Sequence, residues 1–225
     1  MSPTKPGPKR RSKRARHMVV SAGPTREHVD PVRYLSNESS GRMGFEIARA
    51  AVEAGWKVTL VAGPVQLETP RGVKRVDVIS ARDMLAAVRT AYREADALVM
   101  AAAVADWRPR RRLAGKWRAK DGGAETASIE LVRNPDVLAT VARGRGARLA
   151  VGFALETGNG VRRARAKLER KGLDYIVLND DSALNARRAT VTIIAKDGTE
   201  RRIENRSKVV LARALVGLIA DATPA

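Results

Sequence analysis

No cysteine occurs anywhere in the 225 residues, which excludes disulfides, thiolate metal sites and a cysteine nucleophile. Histidine is almost as scarce. His17 and His28 are the only two, neither belongs to a partner motif, and neither is assigned a catalytic role. Aromatic side chains make up only 4% of the chain, too few for the stacking platforms that single-stranded nucleic acid needs. No apolar run approaches the roughly 18 residues of a membrane span, and the first residues lack the apolar core of a secretory signal. A soluble cytoplasmic protein is expected.

What the chain has in excess is positive charge, +19 formally, with a sequence pI near 11.2. Clustered Lys and Arg raise the question of nucleic acid, because they gain free energy by releasing counterions from phosphate. Position matters more than the total. Residues 1–16 (MSPTKPGPKRRSKRAR) are rich in proline and basic residues and contain no acid and no periodic apolar pattern. They are expected to form a disordered basic tail, a solvated extension or a weak polyanion-binding arm. Residues 17–225 are expected to form one compact domain.

Along that domain, strand-like and helix-like patterns alternate. Residues 17–22 (HMVVSA), 57–62 (KVTLVA), 73–79, 97–103 (ALVMAAA), 128–132, 149–153 and 175–178 read as strands. The 97–103 run, apolar throughout, reads as a central parallel strand covered on both faces. Helical spacing covers 40–55, with serines as candidate N-caps and Gly55 as the stop, and also 81–95, 161–171 and 207–221. Asn134 is expected to cap a further helix with Pro135 at its first position. A hairpin is expected over 190–203, turning at Asp197-Gly198. Residues 104–127 are long, basic and aperiodic, and are expected to form a mobile lid. The sum is an α/β fold, Rossmann-like and doubly wound, with a mainly parallel sheet, helices on both faces and a small antiparallel C-terminal addition.

In such sheets ligands bind beyond the carboxyl ends of the strands. Three segments are expected to meet there: residues 21–44, residues 101–107 with the basic stretch that follows, and residues 133–136. Taken alone, Gly41 and Gly44 ahead of a helix are a weak phosphate signal, equally consistent with ordinary helix-entry glycines. No GxGxxG follows the first strand and no Walker motif is present.

Together the runs 21–44, 101–106, 133–136 and 151–157 (VGFALET) closely resemble the signature segments of phosphopantothenoylcysteine synthetases, and the resemblance extends over about residues 18–221. It implies that residues 17–225 are a catalytic domain that joins 4′-phosphopantothenate to cysteine. It also implies CTP as co-substrate, Mg²⁺ (or Mn²⁺) as the accompanying ion and a homodimer with sites near its interface. In many bacteria such a domain is similar to the C-terminal half of a bifunctional protein whose other half is a flavin-dependent decarboxylase. The resemblance then leaves that reaction to a separate chain, with no flavin expected on this one.

Carried over residue by residue, the resemblance gives Asn37 the conversion of an acyl-cytidylate intermediate and Arg33 the handling of the same intermediate. Lys116 becomes a CTP-binding and catalytic lysine, although the Lys116-Trp117-Arg118-Ala119-Lys120 run departs from the lysine-rich family motif. Asp106 is implied to hold the ribose, and Ala101 and Ala102 to offer backbone contacts. Pro135, Asp136, Val137 and Leu138 are implied to contact the triphosphate, Phe153 to lie near the base, and Lys167 and Lys171 to bind nucleotide. No metal ligands are assigned. Trp107 stands where a tyrosine is common in the family, and no loss of activity is expected from it.

Each position also has a structural alternative. Asn37 suits a turn, Arg33 a surface ion pair, Phe153 the core, and Lys167 with Lys171 a solvated helix face. Two other functions remain to be weighed. A nucleic-acid-binding protein would show tight, sequence-dependent binding without residues 1–16. An NAD-dependent oxidoreductase would bind NADH, but the dinucleotide glycine pattern is missing.

Overall fold

The computed structural model describes residues 14–118, 126–155, 159–179 and 188–223. Residues 1–13 of the expected tail, 119–125 of the expected lid with Lys120, and 156–157 of the fourth signature segment lie outside the described residues. In chain order the elements are β1 (His17–Ala22), β2 (Arg26–His28), β3 (Tyr34–Ser36), α1 (Arg42–Glu53), β4 (Lys57–Ala62), β5 (Val73–Asp77), α2 (Ala81–Tyr92), β6 (Ala97–Met100), β7 (Trp107–Pro109), β8 (Leu131–Arg133), α3 (Val137–Ala142), β9 (Leu149–Leu155), α4 (Gly160–Lys171), β10 (Tyr175–Asn179), β11 (Arg188–Ala195), β12 (Glu200–Ser207) and α5 (Lys208–Ala222).

Eight strands form one sheet in the order β12-β11-β10-β9-β6-β1-β4-β5. From β10 to β5 all neighbours are parallel, and β11 and β12 add an antiparallel edge. Successive side chains of a strand point to opposite faces, so β1 feeds two cores. Met18, Val20 and Ala22 pack with α1 and α5, whereas Val19 faces the layer built by α2, α3 and α4. Each fully buried large side chain contributes about 1.5–3 kcal/mol. Truncating one such as Ile47 or Leu215, both buried, costs about 2–5 kcal/mol.

Chain order fixes where a ligand crevice lies. From β1 the chain moves outward to β4 and β5, then returns to place β6 on the other side of β1 and proceeds to β9 and β10. The connections therefore diverge between β1 and β6, and a crevice opens beyond their carboxyl ends.

Helix α1 enters that crevice without the expected serine cap. Gly41 occupies the N-cap with φ 73° and no side-chain cap bond, while the Ser39 hydroxyl instead accepts the Gly41 N–H at 3.3 Å. The left-handed turn suits glycine, which has no Cβ to clash. Gly44, one turn on, lies so close to β1 that a Cβ there would sit 2.5 Å from the Ala22 Cβ.

Two other expectations need correction, and the 104–127 stretch gains a local feature. Asn134 does not cap α3. Asp136 does, its carboxylate accepting the Ala139 N–H at 3.0 Å, because Asn134 is drawn away to donate to the Ala105 carbonyl at 2.9 Å. Within the 104–127 stretch residues 107–110 form a paired ribbon, since β7 runs antiparallel to β8 and Arg110 N–H continues the ladder to the Glu130 carbonyl, while residues 111–118 carry no regular structure. Finally, residues 14–16 belong with the folded domain. Arg14 pairs with Asp96 at 2.7 Å, and Arg16 lies over the Trp56 ring and donates to the Ala220 carbonyl at the end of α5 at 2.8 Å.

Candidate active site

Two adjoining cavities occupy the crevice, of about 360 and 330 Å³. They share Ala102, Val104, Asp106, Phe153 and Lys167. The first extends over residues 133–138 to Lys171, and the second over residues 38–44 to Ala101, Asn179 and Lys208.

Short polar side chains under the 101–106 loop hold it in place. Ser21 Oγ, fully buried on β1, accepts the Ala102 N–H at 3.1 Å, and Thr25 Oγ1 accepts the Ala105 N–H at 3.0 Å. The Ala103 N–H donates to the Gly23 carbonyl at 2.9 Å, and Asn134 N–H to the Asp106 carbonyl at 2.8 Å. The first and third signature segments thus clamp the second from both sides. Asp106 is left exposed at the junction of the cavities.

The first cavity is nearly balanced in charge. Lys171 pairs with Asp136 at 2.8 Å, and Lys167, one helical turn earlier, donates to the Phe153 carbonyl at 2.9 Å. Burial opposes ionisation of Asp136, but the Lys171 ammonium, the Ala139 N–H and Lys167 outweigh it and hold the carboxyl below its usual range. Phe153 is only half-buried and lines both cavities, so its ring is not confined to the core.

The expected site residues from β6 onward through α4, namely Ala101, Ala102, Asp106, Pro135, Asp136, Val137, Leu138, Phe153, Lys167 and Lys171, line this double cavity. Asn37, Arg33 and Lys116 do not. Asn37 sits at the edge, one residue before Glu38 of the second cavity, and its Nδ2 donates to the Ala103 carbonyl at 3.2 Å. An amide NH₂ has two protons, so one donor remains. Lys116 is exposed, beyond the paired ribbon.

Arg33 is held by a feature that sequence reasoning missed. The fully buried Asp30 accepts the N–H groups of Val32 and Arg33 at 2.7 Å each and of Trp117 at 3.0 Å, and it pairs with the Arg33 guanidinium at 2.6 Å. Burial works against the carboxylate, but these donors prevail and hold Asp30 well below the usual carboxylate range. Arg33 also lies over the Trp117 ring, 5.6 Å from its centre, and donates to the Trp117 carbonyl. The only sequence signal was an aspartate preceding a proline, which marks a turn but not a distant partner.

Among the described residues no group of three or more His, Asp or Glu could hold a metal ion. Glu38 and Asp106 line the second cavity, and carboxylates so placed fit an ion such as Mg²⁺ that is carried on phosphate oxygens and keeps several waters.

The family described as the DNA/pantothenate metabolism flavoprotein C-terminal domain matches residues 13–222. The chain is similar to the coenzyme A biosynthesis bifunctional protein CoaBC of Vibrio cholerae serotype O1, with 43% identity covering 91% of this chain and 52% of the relative. To CoaBC of Escherichia coli K12 it is 47% identical, over 74% of this chain and 41% of the relative. It also resembles the crystal structure of the C-terminal domain of CoaBC, with a TM-score of 0.79, 38% identity, and coverage of 91% of this chain and 93% of that one. The chain spans about half the length of the curated relatives it matches. No described helix is long and apolar enough to cross a membrane.

Proposed function

This chain belongs to the family of the DNA/pantothenate metabolism flavoprotein C-terminal domain, and from that membership we propose that it is a CTP-dependent ligase joining 4′-phosphopantothenate to cysteine. The observation that carries this reading is the meeting of three signature segments around one double cavity, rich in N–H donors and cations, at the switch point of the sheet. We place the enzyme in the cytoplasm.

In the first half-reaction a carboxylate oxygen of phosphopantothenate attacks the α-phosphorus of CTP. The bond to the β-phosphate oxygen breaks, and pyrophosphate leaves with the electron pair. Anion meets anion, so fixed cations and N–H donors must offset the repulsion. Lys167 and Lys171 supply cations within the cavity, Asp106 binds the ribose, and Phe153 offers a flat face to the base. Pro135, Asp136, Val137 and Leu138 shape the wall opposite, and Ala101 and Ala102 contribute backbone contacts. Mg²⁺ or Mn²⁺ supplies further charge neutralisation when it accompanies the triphosphate.

In the second half-reaction the amine of cysteine attacks the acyl carbon. A tetrahedral intermediate forms, loses the amine proton and expels CMP. The remaining Nδ2 proton of Asn37 supports giving this residue the acyl oxygen, and Arg33, held by Asp30 outside the double cavity of its own chain, is assigned to the same intermediate by the family resemblance. No covalent protein intermediate is required.

Lys116 lines neither cavity of its own chain, and the exposed apolar residues Val32, Tyr34, Trp107 and Leu131 cluster on the two small hairpins nearby in sequence. Both observations support a homodimer in which Lys116 serves the partner's site. Mixing inactive Lys116→Ala with inactive Asp106→Ala is then expected to recover part of the activity, because mixed dimers contain one intact site. For the reaction itself, the test supplies 4′-phosphopantothenate, CTP, cysteine and Mg²⁺ and measures pyrophosphate and CMP. A folded protein that releases neither with CTP or ATP overturns the proposal.

A further inference from the structure

Lys208 occupies a position that ordinary stability rules disfavour. It is the first residue of α5, where the unpaired N–H groups carry partial positive charge and attract anions, not ammonium groups. Ser207 Oγ caps the Val210 N–H at 3.4 Å, but no acid follows in the first turn. Instead of extending into water, Lys208 is half-buried and lines the second cavity. Burial and the Arg42 guanidinium both push its ammonium below the usual lysine range. Among the described residues neither Lys208 nor Arg42 has an ion-pair partner, although both face the same cavity. Helix end, desolvation and like charge all oppose this cation, and although Glu38 and Asp106 line the same cavity, neither forms an ion pair with it.

An anion in the cavity would remove all three penalties. The lining holds donors for one, the Ser39 and Ser40 hydroxyls and the Asn179 side-chain amide, and also two acids, Glu38 and Asp106, which leave the cations to set the sign only where an anion lies against them. The contrast with the first cavity is direct, because there the equivalent cation, Lys171, already has Asp136. We propose that Lys208, together with Arg42, binds a phosphoryl oxyanion of a substrate in the second cavity. Lys208 lies outside every signature segment and belongs to the last helix, so this helix contributes to the site as well as covering the sheet. The identity of the substrate rests on the ligase reading, which provides two sources of the same chemistry: the terminal phosphates of the nucleotide and the phosphate monoester of phosphopantothenate.

Calorimetric titration of inorganic pyrophosphate and, separately, of 4′-phosphopantothenate into the wild-type protein and Lys208→Gln tests the inference without turnover. Lys208→Gln is expected to weaken one of the two ligands by on the order of 10- to 100-fold, the size of a lost charge-assisted hydrogen bond. Lys208→Arg should retain most of the affinity, and Arg42→Gln should weaken the same ligand. A loss confined to pyrophosphate assigns the nucleotide's terminal phosphates to the cavity, and a loss confined to phosphopantothenate assigns its monoester. Thermal stability of Lys208→Gln should be unchanged or higher, since an unfavourable cation has gone. The inference is overturned by unchanged binding of both ligands, by failure of the wild type to bind either, or by a clear fall in melting temperature of Lys208→Gln. A wild-type protein that binds pyrophosphate through Lys208 yet forms no CMP would sink the ligase reading alone.

Discussion

At the amino end of the sheet, Asp96 accepts the His17 N–H at 2.7 Å and pairs with Arg14, and Asp174 accepts the Ala150 N–H at 2.9 Å while Arg145 and Lys196 close on it. Each acid bridges two neighbouring strands and is neutralised where it stands. At the carboxyl end, Arg42 and Lys208 line a cavity together with Glu38 and Asp106 but form no ion pair among the described residues, and Asp106 is exposed between two cavities. The same residue types therefore do opposite work at the two rims. At the amino rim pairing holds strands together, whereas at the carboxyl rim Arg42 and Lys208 are left without an ion pair at a concave surface.

That contrast breaks most sharply at Asp174. Replacing it by Ala strands Arg145 and leaves the Ala150 N–H without its acceptor. A stability loss of about 3–5 kcal/mol is expected, read as a lower urea midpoint. Lys208→Gln at the other rim should show no such loss. If both variants unfold alike, the distinction between the rims fails.

Next in size is Asn37→Ala, expected to slow product formation by about 10²- to 10³-fold while the first turnover still releases pyrophosphate. Rapid quench with labelled CTP would reveal the accumulated acyl-cytidylate. Equal damage to both half-reactions would contradict the role assigned to this amide.

Smaller still is Tyr92→Phe. The Tyr92 hydroxyl, whose pKa burial pushes up to about 12, donates to the Leu149 carbonyl at 3.0 Å. Losing that buried bond should lower stability by about 1 kcal/mol and leave activity unchanged, by denaturation and turnover measured on one preparation.

The smallest effect is a pH slope. Burial, with Lys57 beside it, holds the His17 imidazole below its ordinary value, and its Nε2 lies 2.9 Å from Thr59 Oγ1. The unfolded chain then binds the proton more readily than the native state. Stability contributed by neutral His17 is present above the unfolded pKa near 6.5 and is lost as pH falls through the lower folded value. Comparing denaturation at about pH 7.5 and about pH 5.5, His17→Gln should show a flatter dependence than the wild type.

The two rims also differ in how far the sequence exposed them. Strands such as β1, β4 and β6 are continuous apolar runs, and α1, α2 and α4 carry a helical period, so the sheet and its layers follow from local pattern alone. Most residues of the first cavity could be placed because they lie in or beside the signature segments, and Lys167 and Lys171 because the wider resemblance extends over α4. Strands β2, β3 and β7 could not, since three residues show no period, and β8 was foreshadowed only in part by the 128–132 run; the buried Asp30, which holds the β2–β3 turn and reaches Trp117 across 87 positions, had no local signal. Asn134 suits an N-cap by residue type, and only the Ala105 carbonyl that it binds shows why Asp136 takes that place. Lys208 gave no signal at all, because a lysine at a helix start becomes unusual only once its surroundings are known.

The hydrogen that serves as the side chain of Gly44 lets the first turn of α1 lie against β1 at the wall of the second cavity. Helix α1 rests on β1 with no room for a methyl group, and its first turn carries Arg42. A Gly44→Ala chain would have to lift that turn by a fraction of an ångström, and Arg42 would ride outward with it. The spacing between the two lone cations is thus gauged by an atom that takes part in no chemistry.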